Sequence, residues 1–173
     1  MSEETGQVGT SDWRRLTAGE ISLLAEYNGM KIRNVQETKV YHRAFFGWPT
    51  MVTPDNNIYV GPDFPWSEDY SAEGDIDVRS QIVHELLHVY QTQNRGCETF
   101  CKLIKKGWAQ DRDDYCYSLT PGKSFWSYGL EQEAEMVSDR YLMRESEQKF
   151  LDCNQTNGVT LPELEQLLLD GGL

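Results

Sequence analysis

The sequence predicts a compact α+β domain: a small β-sheet, a long helix carrying an HExxH motif, and a second helix carrying a glutamate. Three observations predict it. Val78, Ile82, Leu86 and Val89 recur at helical spacing through the His84-Glu85-Leu86-Leu87-His88 segment. Leu130, Ala134, Val137 and Tyr141 repeat that spacing downstream. Short runs rich in β-branched and aromatic residues precede both. The chain has 173 residues, 39% hydrophobic and 12% aromatic, enough for one domain with a real core and too apolar for a disordered chain.

Taken in order, residues 1–12 are polar and read as a disordered leader, residues 13–153 as the folded domain, and residues 154–173 as a tail with a short helix. A first helix starts at Thr17, with Glu20 three residues on to complete a capping box, and stops at Asn28-Gly29. Ile21, Leu24 and Tyr27 form its apolar side. Residues 38–46 are rich in strand formers, and 51–60 read as two short strands around a Pro-Asp-Asn turn. Residues 61–74 read as a surface loop. The HExxH helix then runs from Asp75 or Asp77, either able to cap it, to Gly96. Residues 100–104 have helical character, whereas 109–123 read mostly as loop. A third helix spans about 127–149. Thr160 and Glu163 make a second capping box, followed by Leu164, Leu167 and Leu168.

The charge balance, 16 Lys+Arg against 28 Asp+Glu for a net −12, disfavours nucleic acid and anionic lipid as partners. Lys102, Lys105 and Lys106 form the basic cluster and read as a solvated helical face. No apolar run is long enough for membrane insertion, and the acidic N-terminus lacks a signal peptide, so synthesis in the cytoplasm is expected. The cysteines (Cys97, Cys101, Cys116 and Cys153) match no metal-site spacing. Three of them flank the insertion-like stretch 97–117, which permits a disulfide in an oxidising compartment; reduced thiols are the default expectation otherwise.

The chemistry is concentrated in HExxH. Residues four apart on a helix project from one face, so His84 and His88 can hold one ion, and zinc accepts imidazole nitrogens with a position left for water. Glu85 sits where it can act on that water as general base. The bland alternative is a chance HxxxH on a helix with a solvated glutamate; the capped, amphipathic, Gly-terminated helix argues against it. No histidine follows His88, so the third ligand must be a carboxylate on a later helix. Glu131 and Glu135 share a face there, suiting a ligand and a partner for a ligating histidine, while Glu133 points elsewhere and is expected to be solvated.

Glu131-Gln-Glu-Ala134-Glu135 resembles the ExxA(D/N/E) helix of compact, gluzincin-like HExxH zinc metallopeptidases. That alignment implies Glu131 as zinc ligand and Glu135 beside a ligating histidine. Glu135-Met-Val-Ser-Asp139 also fits the ExxxD of thermolysin-like enzymes, which would make Glu135 the ligand and Asp139 its partner. The small Ala134 favours the first, since it lets the two helices approach when Glu131 faces the ion. Over about residues 15–144 the chain further resembles the bacterial "Vgr-related" proteins associated with type VI secretion. The similar stretches include Leu16-Thr-Ala-Gly-Glu20-Ile, Thr53-Pro-Asp-Asn-Asn-Ile-Tyr59, Val83-His-Glu-Leu-Leu-His-Val-Tyr-Gln91 and Leu119-Thr-Pro-Gly-Lys123; the cysteine-bearing segment 97–117 departs from the pattern.

The resemblance implies a zincin-like fold and a zinc metalloprotease acting on a protein or peptide, as an exported toxin or effector of a type VI secretion system. Its partners would be secretion spike proteins or an immunity protein. The rival expectation is a non-catalytic, metal-bound adaptor or cargo module of the same apparatus. His42 reads as a packed or surface histidine. Tyr59, Tyr128 and Tyr141 are candidate oxyanion donors that more simply belong to the core. Residues 58–60 are a candidate edge strand for holding an extended peptide.

Overall fold

The computed structural model describes residues 12–25, 31–96, 114–146, 153–154 and 158–173. The leader up to residue 11, the first helix's stop at Asn28-Gly29, the 100–104 helix and the lysine cluster lie outside the described residues.

Four short strands, β1 (Trp13–Arg15), β2 (Lys39–Tyr41), β3 (Met51–Val52) and β4 (Ile58–Val60), form one sheet in the order β1-β2-β4-β3. The β1–β2 and β3–β4 pairs are antiparallel, and β2–β4 is parallel with Val40 opposite Ile58. The turn expected between β3 and β4 is present. Asp55 Oδ1 accepts from the Asn57 amide at 2.7 Å, and Asn57 Oδ1 accepts from the Lys39 amide at 3.1 Å, so the turn also pins β2. The strand expected over 38–46 ends at Tyr41; beyond it Phe46 and Gly47 take positive φ of 47° and 79°, which strand pairing does not tolerate. The edge-strand expectation for Ile58–Val60 is corrected: β4 lies between β2 and β3 with all three residues buried, as an unbroken apolar run requires. The edges are β1 and β3.

Helix α1 (Ala18–Ala25) begins at the expected capping box: Thr17 N donates to Glu20 Oε2 at 2.9 Å and Glu20 N donates to Thr17 Oγ1 at 3.0 Å. Glu20 is fully buried, because its carboxylate also accepts two bonds from Arg14 and one from the Tyr70 amide. That bond explains why the 61–74 stretch is not all surface loop. It contains a 3-10 turn, Tyr70–Ala72, with Tyr70 completely buried.

Helix α2 (Ile76–Arg95) is capped by Asp75, whose side chain accepts from the Asp77 amide, and ends at Gly96 with φ 64°, as the sequence predicts. Residues Ile82 to Val89 are all buried, so α2 is a central helix rather than a surface one. Helix α3 (Leu130–Ser146) packs along it, with Ala134, Val137 and Tyr141 in the common core. It starts later than expected because Phe125–Ser127 forms a separate 3-10 turn. Helix α4 (Leu161–Asp170) starts at the Thr160–Glu163 capping box and packs Leu164 and Leu168 into the same core. Trp126 Nε1 donates to the Gly171 carbonyl at 2.7 Å, so the C-terminal stretch is fastened to the domain. Among the described residues no helix is long and apolar enough to cross a membrane.

The default expectation of reduced thiols is not met at two cysteines: Cys116 and Cys153 form a disulfide across a sequence separation of 37. Closing a loop of that length stabilises a fold by about 3–4 kcal/mol through the lost entropy of the unfolded chain. The pairing reaches beyond the 97–117 stretch, a partner choice that spacing alone does not specify.

Candidate metal centre

Helix α2 places His84 and His88 one turn apart, and the two imidazoles meet with Nε2–Nε2 at 3.1 Å. Helix α3 brings Glu131 onto the same point: its Oε2 lies 3.3 Å from His84 Nε2 and 3.1 Å from His88 Nε2. Ala134 is fully buried in the common core. These three donors form a group able to hold a metal ion. An ion about 2.0–2.1 Å from each of three tetrahedral donors needs donor separations of roughly 3.3 Å. The observed spacing fits that need. Glu135 stands outside the triangle, with Oε2 3.3 Å from His84 Nδ1. It therefore sits behind the histidine and Glu131 in front of it. Asp139 is buried and its Oδ2 accepts from Tyr117 at 2.7 Å and Asn154 at 3.1 Å, so its hydrogen bonds go to those residues rather than to a histidine.

His88 is oriented by a relay the sequence reading missed. Its Nδ1 lies 2.7 Å from Gln91 Oε1, which must be the acceptor because Gln91 Nε2 donates to Glu133 Oε2 at 2.9 Å and to the Leu130 carbonyl at 3.0 Å. His88 then carries its proton on Nδ1 and presents the Nε2 lone pair to the donor triangle. The expectation of a solvated Glu133 is corrected: it is fully buried and its other oxygen pairs with Arg95 at 3.0 Å. The last turn of α2 presents this cation to the first turn of α3. Gln91 lies three residues after His88, a same-face spacing that could have revealed it.

Glu85 is buried, with Oε1 accepting from Gln81 at 2.8 Å; Oε2 has no hydrogen-bond partner among the described residues. A buried carboxylate oxygen left open in this way is able to accept a further hydrogen bond. Tyr115, also missed, lies with its ring 5.9 Å from the His84 ring. The tyrosines singled out from sequence are engaged elsewhere: Tyr59 with Asp55, Tyr128 with Ser118 and Thr120, and Tyr141 with Arg79. His42 stacks on Trp66, with ring centroids 4.5 Å apart.

The imidazoles and carboxylates of this group shift one another. Burial would lower the His84 pKa, but hydrogen bonds accepted by Glu131 and Glu135 outweigh it and push it up to about 10. His88 is likewise raised against its burial, chiefly by the Glu131 charge. Burial would raise Glu131, yet the two imidazoles hold it well below the usual carboxylate range.

Fold and site together define a compact α+β domain in which two histidines of one helix and a glutamate of its neighbour converge in a buried donor set. No protein-family model matches the chain. It is 29% identical over 137 residues to the type VI secretion system spike protein VgrG2b of Pseudomonas aeruginosa, a match covering 75% of this chain and 13% of that protein. The solved effector domain of Pseudomonas aeruginosa VgrG2b superposes with a TM-score of 0.65 at 25% identity, over 77% of this chain and 75% of that one. The chain is thus homologous to the VgrG2b effector domain.

Proposed function

We propose that this domain is a zincin-like zinc metallopeptidase acting as a type VI secretion effector on a peptide bond of a target-cell protein. The observation that carries the reading is the convergence of His84 Nε2, His88 Nε2 and Glu131 Oε2 at 3.1–3.3 Å beside the open Oε2 of Glu85. His84, His88 and Glu131 would hold the ion. Zinc bound there would lower the pKa of a coordinated water toward about 7 and polarise the scissile carbonyl. Glu85 takes the proton from the attacking water and returns it to the leaving amine. Gln91 and Glu135 keep the two imidazoles turned inward, so no reorientation is needed as substrate enters. The homology to an effector domain supports the secretion role, with spike proteins and an immunity protein as the partners it implies.

Elemental analysis should find about one zinc per chain in the wild type and none in His84→Ala/His88→Ala; equal zinc in both would remove the site. Glu85→Gln should keep fold and zinc while lowering hydrolysis by about 10²–10⁴-fold, since an amide is not a base. Undiminished activity and target-cell toxicity in that variant would favour the adaptor reading.

A further inference from the structure

The segment around Cys116 is fastened to α3 by hydrogen bonds and to the Cys153-Asn154 stretch by one covalent bond and further hydrogen bonds. Gln132 Nε2 of α3 donates to the Cys116 carbonyl at 2.7 Å. The Tyr117 amide donates to Asn154 Oδ1 at 2.9 Å. The Tyr117 hydroxyl and Asn154 Nδ2 both donate to Asp139 Oδ2. The Cys116–Cys153 disulfide joins the two sides of this cluster, since Cys153 precedes Asn154 and Cys116 precedes Tyr117. On the other side of Cys116, Tyr115 packs its ring toward His84. Asp139 lies one helical turn beyond Glu135, the residue behind His84. The disulfide therefore sits at the base of a path from Cys116 to the metal centre, through Tyr115 directly and through Tyr117, Asp139 and α3.

We propose that the Cys116–Cys153 disulfide is a redox-dependent positioning element of the donor set, holding Tyr115 and the Glu135 face of α3 against His84 only when it is formed. The inference rests on the zinc reading above. Both cysteines are only half-buried, within reach of exchange. Forming the bond takes two electrons and two protons from the two thiols. They pass to a disulfide donor, such as oxidised glutathione or a disulfide-bearing oxidoreductase, whose own disulfide becomes two thiols; a reducing thiol pool runs the exchange backwards. A chain made in a reducing compartment then carries a loosened centre, and transfer to an oxidising one tightens it. The metal site is conditional on compartment.

The test is zinc affinity, read by competition with a chromophoric chelator on the full chain. Three forms are compared: the oxidised protein, the same protein reduced by a phosphine that does not bind zinc, and Cys116→Ser/Cys153→Ser. The variant removes this disulfide alone, whereas the reductant is not selective among cysteines. Both disulfide-free forms should bind zinc about 10–100-fold more weakly, the usual effect of losing a ligand's supporting contacts. Reoxidation of the reduced chain with oxidised glutathione should restore the affinity. Amide exchange should quicken across 114–118 in the disulfide-free forms. Tyr117→Phe, which keeps the disulfide but removes the bond to Asp139, should give a smaller loss in the same direction and carries the test if the serine variant does not fold. Equal affinity in the oxidised and disulfide-free forms would overturn the proposal while leaving the zinc reading intact. Absence of zinc binding in every form, oxidised included, would overturn both.

Discussion

Glu131 and Glu135 lie one turn apart on α3 and touch opposite edges of the same imidazole, at Nε2 and Nδ1 of His84. Only the first is also near His88, so the two carboxylates have different work. Glu131→Ala leaves two protein donors, and zinc affinity measured by chelator competition should collapse. Glu135→Ala should cost about 10–100-fold while leaving the metal measurable. A larger loss for Glu135→Ala would reverse the assignment. Gln91→Leu removes the acceptor for His88 Nδ1 and a buried donor to Glu133. It should weaken zinc binding by a similar factor and destabilise the fold by about 1–3 kcal/mol, because Glu133 loses a buried partner. A denaturant titration beside the zinc titration separates the two effects. The meeting of His84 and His88 was legible because a spacing of four puts both on one face of a helix, whereas the expectation of Glu131 ahead of Glu135 came from a resemblance and from Ala134. Gln91 was not read and Glu133 was misread as solvated, since whether a first-turn carboxylate is solvated depends on what the neighbouring helix offers, here Arg95.

Among the elements, those that local chemistry specifies were legible: both capping boxes, the Asp75 cap, Gly96 and the turn at 55–57. Those set by tertiary partners were not. The strand β1 has three residues, two of them arginines, and its pairing with β2 is accompanied by Lys39 lying 4.2 Å over the Trp13 ring. The central place of β4 follows from sheet order, which a three-residue run cannot reveal. Helix α4 is the test of whether the 154–173 stretch is a detachable tail. Leu164 is fully buried in the common core, so Leu164→Ala should lower the unfolding free energy by about 2–5 kcal/mol in a urea titration. A detachable tail would register under about 0.5 kcal/mol.

At the scale of the whole molecule, the metal centre and its surroundings couple stability to pH. The folded-state pKa of His84 is raised from 6.5 to about 10. That of Asp139 is raised from 3.8 to about 8, by burial first and by the Glu135 charge second. A group whose folded pKa lies above its unfolded value binds its proton more tightly when folded, so its stabilisation is complete below the unfolded value and is lost as pH rises through the folded one. The Asp139 contribution therefore fades between about pH 4 and 8, and the His84 contribution between about pH 6.5 and 10. Glu131, lowered, acts in the opposite sense: its contribution is present above its unfolded value of 4.5 and is lost as pH falls below that. The chelator-treated protein should accordingly be most stable near about pH 4, where the Glu131 contribution is gained and the Asp139 contribution is not yet lost, with a Tm that falls from there to pH 10. Zinc must displace the protons on His84 and His88 in order to bind, so its stabilisation grows as pH rises. The gap in Tm between zinc-loaded and chelated protein should widen from pH 6 to 9 in thermal scans. Asp139→Asn, which removes the raised carboxyl but keeps an acceptor for Tyr117, should flatten the chelated curve over pH 6–8 without closing that gap. Parallel curves for the loaded and chelated wild type would mean that the ion does not replace the imidazole protons, and that His84 and His88 are not its ligands.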